Sequence, residues 1–307
     1  MGANPAARPC PTFVLNFKTL EIMENQTKKV WFITGASKGI GLSLTRQLLQ
    51  QGHMVAATSR SVAQLQEAVG VSTNQFLALP MNLPNEESVA QALAKTMETF
   101  GQIDVVVNNA GYGHLGSLEE LSDQEARQNF EVNVFGTLNV IRKALPYLRR
   151  QGSGHIFNIS SIAGLSGSFP GFGIYCATKF AVNGLTEALA EEVAPFGIKV
   201  TLVMPGYIRT NFLTDSSLVT PQAPMPEYAN AREMQTLHQE QINGNQPGDP
   251  EKVATALIQT AAAENPPVHL LLGSDSYEFA NAKLNNLGQE FAQWAKISQS
   301  VGFEVEV

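Results

Sequence analysis

Two cysteines in 307 residues, Cys10 and Cys176, are too few for a disulfide framework, and their spacing fits no metal site. Basic residues never run beyond two in a row and the net charge is −7, which leaves no footprint for nucleic acid or an anionic membrane. No apolar stretch reaches the roughly eighteen residues needed to span a bilayer. The histidines at 53, 114, 155, 238 and 269 have no metal-ligand spacing, so no metal is expected. Basic residues are sparse before Phe13-Val14-Leu15, and no small-residue cleavage site follows, so a signal peptide is not expected. No internal repeat has a fixed period. These absences point to a cytoplasmic protein whose partner is a small molecule.

What is present suits a substantial core: 44% of residues are apolar and 15% charged. Residues 1–27 show no helical period and are expected to be mobile or loosely docked. Met23 just precedes the first strong strand, so an over-long start assignment would account for this leader. Apolar runs at 29–34, 53–58, 75–79, 103–107, 155–159, 199–203 and 269–272 read as strands. Helical patterns lie between several of them, at 86–100, 123–149 and from Tyr175 through Val193. Such alternation predicts a parallel sheet covered on both faces, and no linker-like composition divides it. Residues 207–247, rich in Thr, Ser, Pro, Gln and Asn with a helical piece near 227–242, read as a substrate lid within one domain spanning 28–275. Residues 276–307 carry Phe279, Leu284, Leu287, Phe291 and Trp294 at near-helical spacing. They predict an amphipathic helix packed on the body or on a second subunit.

The first strand runs into Gly35-Ala36-Ser37-Lys38-Gly39-Ile40-Gly41 and then a helix. A strand, a glycine turn and a helix form an anion-binding device, because the turn admits a phosphate and the first helical amides point at it. The second strand ends at Ser59-Arg60. An acidic side chain there would hold the ribose hydroxyls of NAD. No Asp or Glu occurs between Lys38 and Glu67, whereas Lys38 and Arg60 are both cations. Two cations and no carboxylate suit the extra phosphate, so NADP(H) is expected in preference to NAD(H).

Tyr175 and Lys179 are four apart on a helix, hence on one face and roughly 6 Å apart along its axis. A free phenol titrates near 10, and a neighbouring ammonium favours its ionised form, which predicts an activated acid/base. Cys176 reads as a packed helix residue. His114, in Tyr112-Gly113-His114-Leu115 after a strand, is the one histidine placed to border a substrate.

Taken in order, Thr34 to Gly41, Asn108-Asn109-Ala110-Gly111, Asn133, Ser161, Tyr175 with Lys179, and Pro205-Gly206 resemble the short-chain dehydrogenase/reductase family over about residues 28–275. The resemblance implies an α/β doubly wound (Rossmann) parallel sheet of about seven strands with chemistry and cofactor site in a single domain. It implies that Tyr175 is the proton donor to a substrate carbonyl and that Lys179 lowers the phenol's pKa and holds the nicotinamide ribose. Ser161 then hydrogen-bonds the reacting oxygen, with Ser160 as its rival, and Asn133 holds a water leading to Lys179. The cofactor-binding set it implies is Gly35, Ser37, Lys38, Gly39, Ile40, Gly41, Ser59, Arg60, Asn82, Leu83, Asn109, Ala110, Gly111, Tyr175, Lys179, Pro205, Gly206, Ile208 and Thr210. Two departures stand out. Asn82 occupies a position where the family often has Asp, which implies weakened adenine binding. Ser161 and Tyr175 are 14 apart, one more than the commonest spacing, so the loop from Ala163 to Ile174 must absorb a residue.

The expectation is an NADP-dependent carbonyl reductase or alcohol dehydrogenase acting on a ketone/secondary-alcohol pair. Phe169, Phe172, Tyr207, Phe212 and Leu213 flank the site and imply an apolar, aromatic or steroid-like substrate; a homodimer or homotetramer is compatible with it. The competing reading is a non-catalytic dinucleotide sensor or scaffold, since a fold can outlive its chemistry. A complete Ser/Tyr/Lys set argues against that reading. A sugar-nucleotide epimerase or dehydratase would need a large C-terminal substrate domain.

Overall fold

A computed structural model describes residues 28–303, and the expectations placed on residues 1–27 lie outside the described residues. Seven parallel strands form one sheet in the order β3-β2-β1-β4-β6-β7-β9. They are β1 (Val30–Ile33), β2 (Met54–Ser59), β3 (Phe76–Pro80), β4 (Val105–Asn108), β6 (Gly154–Ile159), β7 (Ile198–Pro205) and β9 (His269–Leu272). The strand order reverses between β1 and β4, which opens a crevice beyond their carboxyl ends.

Alternation along β1 shows why both faces are covered. Trp31 and Ile33 point to one layer, and Phe32 points to the other; all three are buried. The first layer takes Leu44 and Leu48 of α1 (Gly39–Gln50), Leu65 of α2 (Val62–Val69) and Leu257 of α8 (Pro250–Ala262). The second takes Leu93 of α3 (Glu86–Phe100), Val140 of α5 (Gly136–Gln151) and Leu189 of α6 (Gly173–Val193). With hydrophobic side chains on both faces, the strands read as continuous apolar runs.

The expected strands recur within a residue or two, and the 86–100 helix is α3. The long helix expected at 123–149 is interrupted. A π-helical turn at Glu131–Phe135 joins α4 (Asp123–Phe130) to α5, with Asn133 inside it. Two helices were missed. α2 is short, but Val62, Leu65 and Val69 recur at helical spacing, Ser61 caps its start and Gly70 its end. α8 announces itself through Asp249, which caps the helix, and Pro250 in its first turn. A second, two-stranded parallel sheet pairs β5 (Gly113–His114) with β8 (Leu218–Val219), tying the 207–247 segment to the chain after β4. That segment also holds α7 (Ala229–Thr236), continued by a π turn at Leu237–Ile242.

The C-terminal helix α9 (Ser274–Gln299) forms, but its expected packing on the body is limited to its first half. Ser276 and Ala280 are buried, whereas Phe291, Trp294 and Ile297 are 66%, 57% and 60% exposed.

Candidate active site

A cleft of about 720 Å³ opens at the carboxyl ends of the strands. Its first wall is the turn from Gly35 to Gly41. Gly35 has φ +66°, and a Cβ there would lie 2.8 Å from Ala110 Cα. Gly41 does not line the cleft; it packs behind the turn, where a Cβ would meet Asn109 Nδ2 at 2.6 Å and the Gly35 carbonyl at 2.7 Å. Asn109 earns this closeness by donating from Nδ2 to the Thr34 and Gly35 carbonyls, 2.9 Å each. At the head of α1, Lys38 makes no side-chain cap and the first turn holds no acidic residue. The free amides there form a cradle that suits a pyrophosphate.

Ser37, Lys38, Gly39 and Ile40 line this wall, with Ser59, Arg60, Asn82, Leu83, Asn109, Ala110 and Gly111 beyond it. Lys38 Nζ donates to Ser216, at 3.0 Å from Oγ and 3.2 Å from the carbonyl. Burial, and then the positive charge of Arg60, push the Lys38 pKa down. Two cations thus face one end of the cleft without a carboxylate between them. Pro205, Gly206, Ile208 and Thr210 also line the cleft, Thr210 lying beside Gly39.

Where these walls meet stand Ser161, Tyr175 and Lys179. Ser161 follows β6, and its hydroxyl accepts from the Ala163 amide at 3.1 Å, which leaves its proton free to donate. The rival Ser160 is occupied, donating to Asn183 Oδ1 at 2.5 Å. Tyr175 and Lys179 share one face of α6, with Nζ 5.7 Å from the ring centroid. Lys179 is buried and donates to the Ile159 carbonyl at 2.9 Å.

The expected electrostatics need correction. Burial dominates both groups: it raises the Tyr175 phenol, opposed by the Ser161 hydroxyl, and it lowers Lys179 to about 8. The phenol therefore stays protonated at neutral pH, as a proton donor must. Cys176 is also raised by burial, to about 11, in keeping with its reading as a packed residue.

Asn133 sits behind Gly111, next to the site. Its side chain does not line the cleft. Oδ1 accepts from the Tyr112 amide at 3.0 Å, while Nδ2 donates to the Tyr112 carbonyl at 2.9 Å and to Thr178 Oγ1 at 3.1 Å. Both amide protons are spent, so this side chain braces the chain after β4 against α6.

The other half of the cleft is aromatic. Phe172 lies 6.1 Å from the Tyr175 ring, and Phe212 lies 5.8 Å from it, between ring centroids; Phe169 and Leu213 pack in the same cluster. Sequence reasoning missed a polar pair here. Tyr207 Oη and His238 Nε2 are 2.9 Å apart, and His238 Nδ1 is 2.9 Å from the Met234 carbonyl. Nδ1 must carry the ring proton to bond a carbonyl, so Nε2 accepts from Tyr207. Gln246 was also missed; it is buried in the lining with neither amide atom partnered among the described residues. His114, expected to border a substrate, does line the cleft. It is buried, with Nε2 3.8 Å from Glu125 Oε1, and its pKa is pushed down by burial against the pull of that carboxylate. A Tyr207 after the Pro-Gly turn was visible in the sequence; its partner 31 residues on was not. Among the described residues no cluster of His, Cys, Asp and Glu could hold a metal, and no helix is long and apolar enough to cross a membrane.

The profile of the short chain dehydrogenase family matches residues 29–218. Oxidoreductase BOA17 of Botryotinia fuckeliana is 35% identical over 88% of this chain and 98% of its own length. The 3-ketodihydrosphingosine reductase of Bacteroides thetaiotaomicron is 36% identical over 80% of this chain and 88% of its own. A short-chain dehydrogenase from Streptomyces avermitilis superposes with a TM-score of 0.83 at 36% identity, covering 90% of this chain and all of that one. More distant solved structures carry either cofactor. The 3-ketoacyl-(acyl-carrier-protein) reductase of Brucella melitensis holds NADH (27% identity, TM-score 0.68, 81% and 98% coverage), and ElxO holds NADP (29%, 0.68, 82% and 100%).

Proposed function

The chain belongs to the short-chain dehydrogenase family, and on that premise we propose that it is an NADP(H)-dependent oxidoreductase moving hydride between the nicotinamide and a ketone or secondary alcohol. The observation that carries the proposal is the shared position of Ser161, Tyr175 and Lys179 where a backbone-walled nucleotide cradle meets an aromatic chamber. Bound NADPH supplies the hydride. Ser161 and Tyr175 offer two hydroxyl protons to the substrate oxygen, as transition-state stabilisation at a growing oxyanion demands. The Tyr175 O–H bond breaks as the alcohol O–H bond forms. Lys179, cationic below about pH 8, stabilises the phenolate left behind. A phenol kept protonated by burial suits reduction as the working direction near neutral pH.

Lys38 and Arg60 support the preference for NADP(H), since both would face the extra phosphate. Residues 207–247 act in this reading as the lid over the substrate, with Tyr207, Phe212 and His238 lining it. The substrate is an apolar ketone, in line with the aromatic chamber and with the 3-keto compound named for the Bacteroides relative. A panel of aryl, steroid and long-chain ketones, tested with NADPH and NADH by loss of the reduced-nicotinamide absorbance, should reveal turnover faster with NADPH. NADPH binding without oxidation across the whole panel would instead fit a sensor.

A further inference from the structure

We propose that Tyr207 and His238 select a ketone whose apolar body carries a hydrogen-bond donor, a hydroxyl or an amine, held by the Tyr207 phenol oxygen. The inference rests on the reading of the site as a ketone reductase and names the substrate class within it.

The polarity of the pair is set from its buried end. His238 is buried, and its Nδ1 lies 2.9 Å from the Met234 carbonyl, a group that can only accept. Nδ1 therefore carries the proton of the neutral ring. Burial pushes the His238 pKa down, so the neutral ring is the form present near pH 7. Nε2 is then an acceptor, and the Tyr207 hydroxyl 2.9 Å away donates to it. With that proton committed, the phenol oxygen keeps its lone pairs and has no proton left to offer. No other hydrogen bond among the described residues reaches this oxygen, and Tyr207, half-buried, lines the cleft. Tyr207 is thus one-sided: it holds a donor and rejects an acceptor.

The place of the pair gives that polarity a use. Between ring centroids, Phe172 lies 6.1 Å from Tyr175 and 4.8 Å from His238, and Tyr207 lies 5.5 Å from His238. Phe172 therefore neighbours both the reacting phenol and the Tyr207–His238 pair, within one aromatic chamber. Ser161 and Tyr175 offer protons to one oxygen of the ligand, whereas Tyr207 takes a proton from another part of it. A ligand with an acceptor at one end and a donor at the other satisfies both groups in one orientation, the one that sets its carbonyl at Tyr175. An ether or a second ketone facing Tyr207 would leave two acceptors opposed, which an enclosed site penalises.

Calorimetric titration of the full chain saturated with NADP+, which admits a ketone but cannot reduce it, tests this. The probes are acetophenones bearing a hydroxyl, amino, methoxy or methyl group at the meta or para position. Wild type should bind the hydroxyl and amino compounds about tenfold more tightly than their methoxy and methyl counterparts, the value of one hydrogen bond to a partly buried group. Tyr207→Phe should erase that preference. His238→Phe removes the acceptor for the phenol's proton, so Tyr207 can then donate; the methoxy compound should gain affinity until it is within about twofold of the hydroxyl one. A packing defect would weaken every probe and strengthen none. Equal binding of the probes by wild type, a preference that survives Tyr207→Phe, or no methoxy gain in His238→Phe overturns the inference and leaves the ketone reading standing. Failure of every probe to bind overturns it as well, and turnover of the wider ketone panel then decides the reading of the site.

Discussion

The two halves of the cleft are built differently. The half proposed to hold the nucleotide is built largely on turns, Gly35–Ile40, Asn109–Gly111 after β4 and Pro205–Gly206 at the end of β7, with Lys38, Arg60 and Asn82 at its far end. The other half is walled by side chains, Phe172, Phe212, Tyr207 and His238, brought together from the cap of α6, the 207–213 stretch and the turn after α7. At Gly35, Gly41 and Gly206 a Cβ would come within 3.0 Å of a neighbouring atom, so the turn-built wall accepts little added bulk there. Side-chain walls can change size and polarity without disturbing the strands behind them. One half is therefore fixed by geometry and the other free to set specificity.

The difference can be broken from the backbone side first. Gly41→Ala would force a Cβ against Asn109 Nδ2 and the Gly35 carbonyl. NADPH affinity by fluorescence titration should fall about a hundredfold, as overpacking by about 3 kcal/mol requires. An unaffected titration would mean that the turn is not held by this contact. At the junction of the halves, burial places Lys179 near 8. The amine is cationic below that value and neutral above it, so ketone reduction should be level up to about pH 8 and fall roughly tenfold per unit beyond. A profile that stays level to pH 10 would remove Lys179 from the proton path.

Smaller changes sharpen the comparison. Arg60→Ala should weaken NADPH about tenfold and leave NADH nearly unchanged, because a single partly exposed cation contributes on the order of 1 kcal/mol to a phosphate. Equal losses for both cofactors would contradict the phosphate role. On the side-chain wall, Phe212→Ala should raise KM for an apolar ketone about fivefold, the value of one lost apolar contact surface, with cofactor affinity unchanged. A matching drop in NADPH affinity would show the two halves to be coupled rather than separate.

The same contrast explains what the sequence made legible. The nucleotide half follows from short contiguous runs, each attached to the end of one strand, so Gly35 to Gly41, Asn109 to Gly111 and Pro205-Gly206 could be located from local pattern. Tyr175 and Lys179 could be paired because helical geometry fixes residues four apart. His238 and Gln246 could not be found this way, since their places in the cleft depend on how a 40-residue segment folds back over β7. The direction of the Tyr175 pKa was misjudged for a related reason: charge spacing shows in sequence, whereas burial of both partners depends on the packing of α6 against the sheet. Asn133 was found as a position, but its bonds to Tyr112 and Thr178 depend on the π turn that carries it. In α9 the apolar period was visible, yet only the fold shows that half of it extends past the body.

In the proposed reaction Tyr175 donates the proton that completes the alcohol. Tyr175→Phe, titrated with NADPH and assayed with the best ketone in the same buffer, tests it directly. NADPH affinity should stay within about twofold of wild type and ketone reduction should fall at least about a thousandfold, the upper range for loss of a general acid. A variant that binds NADPH normally and still reduces the ketone within tenfold of wild type would contradict it.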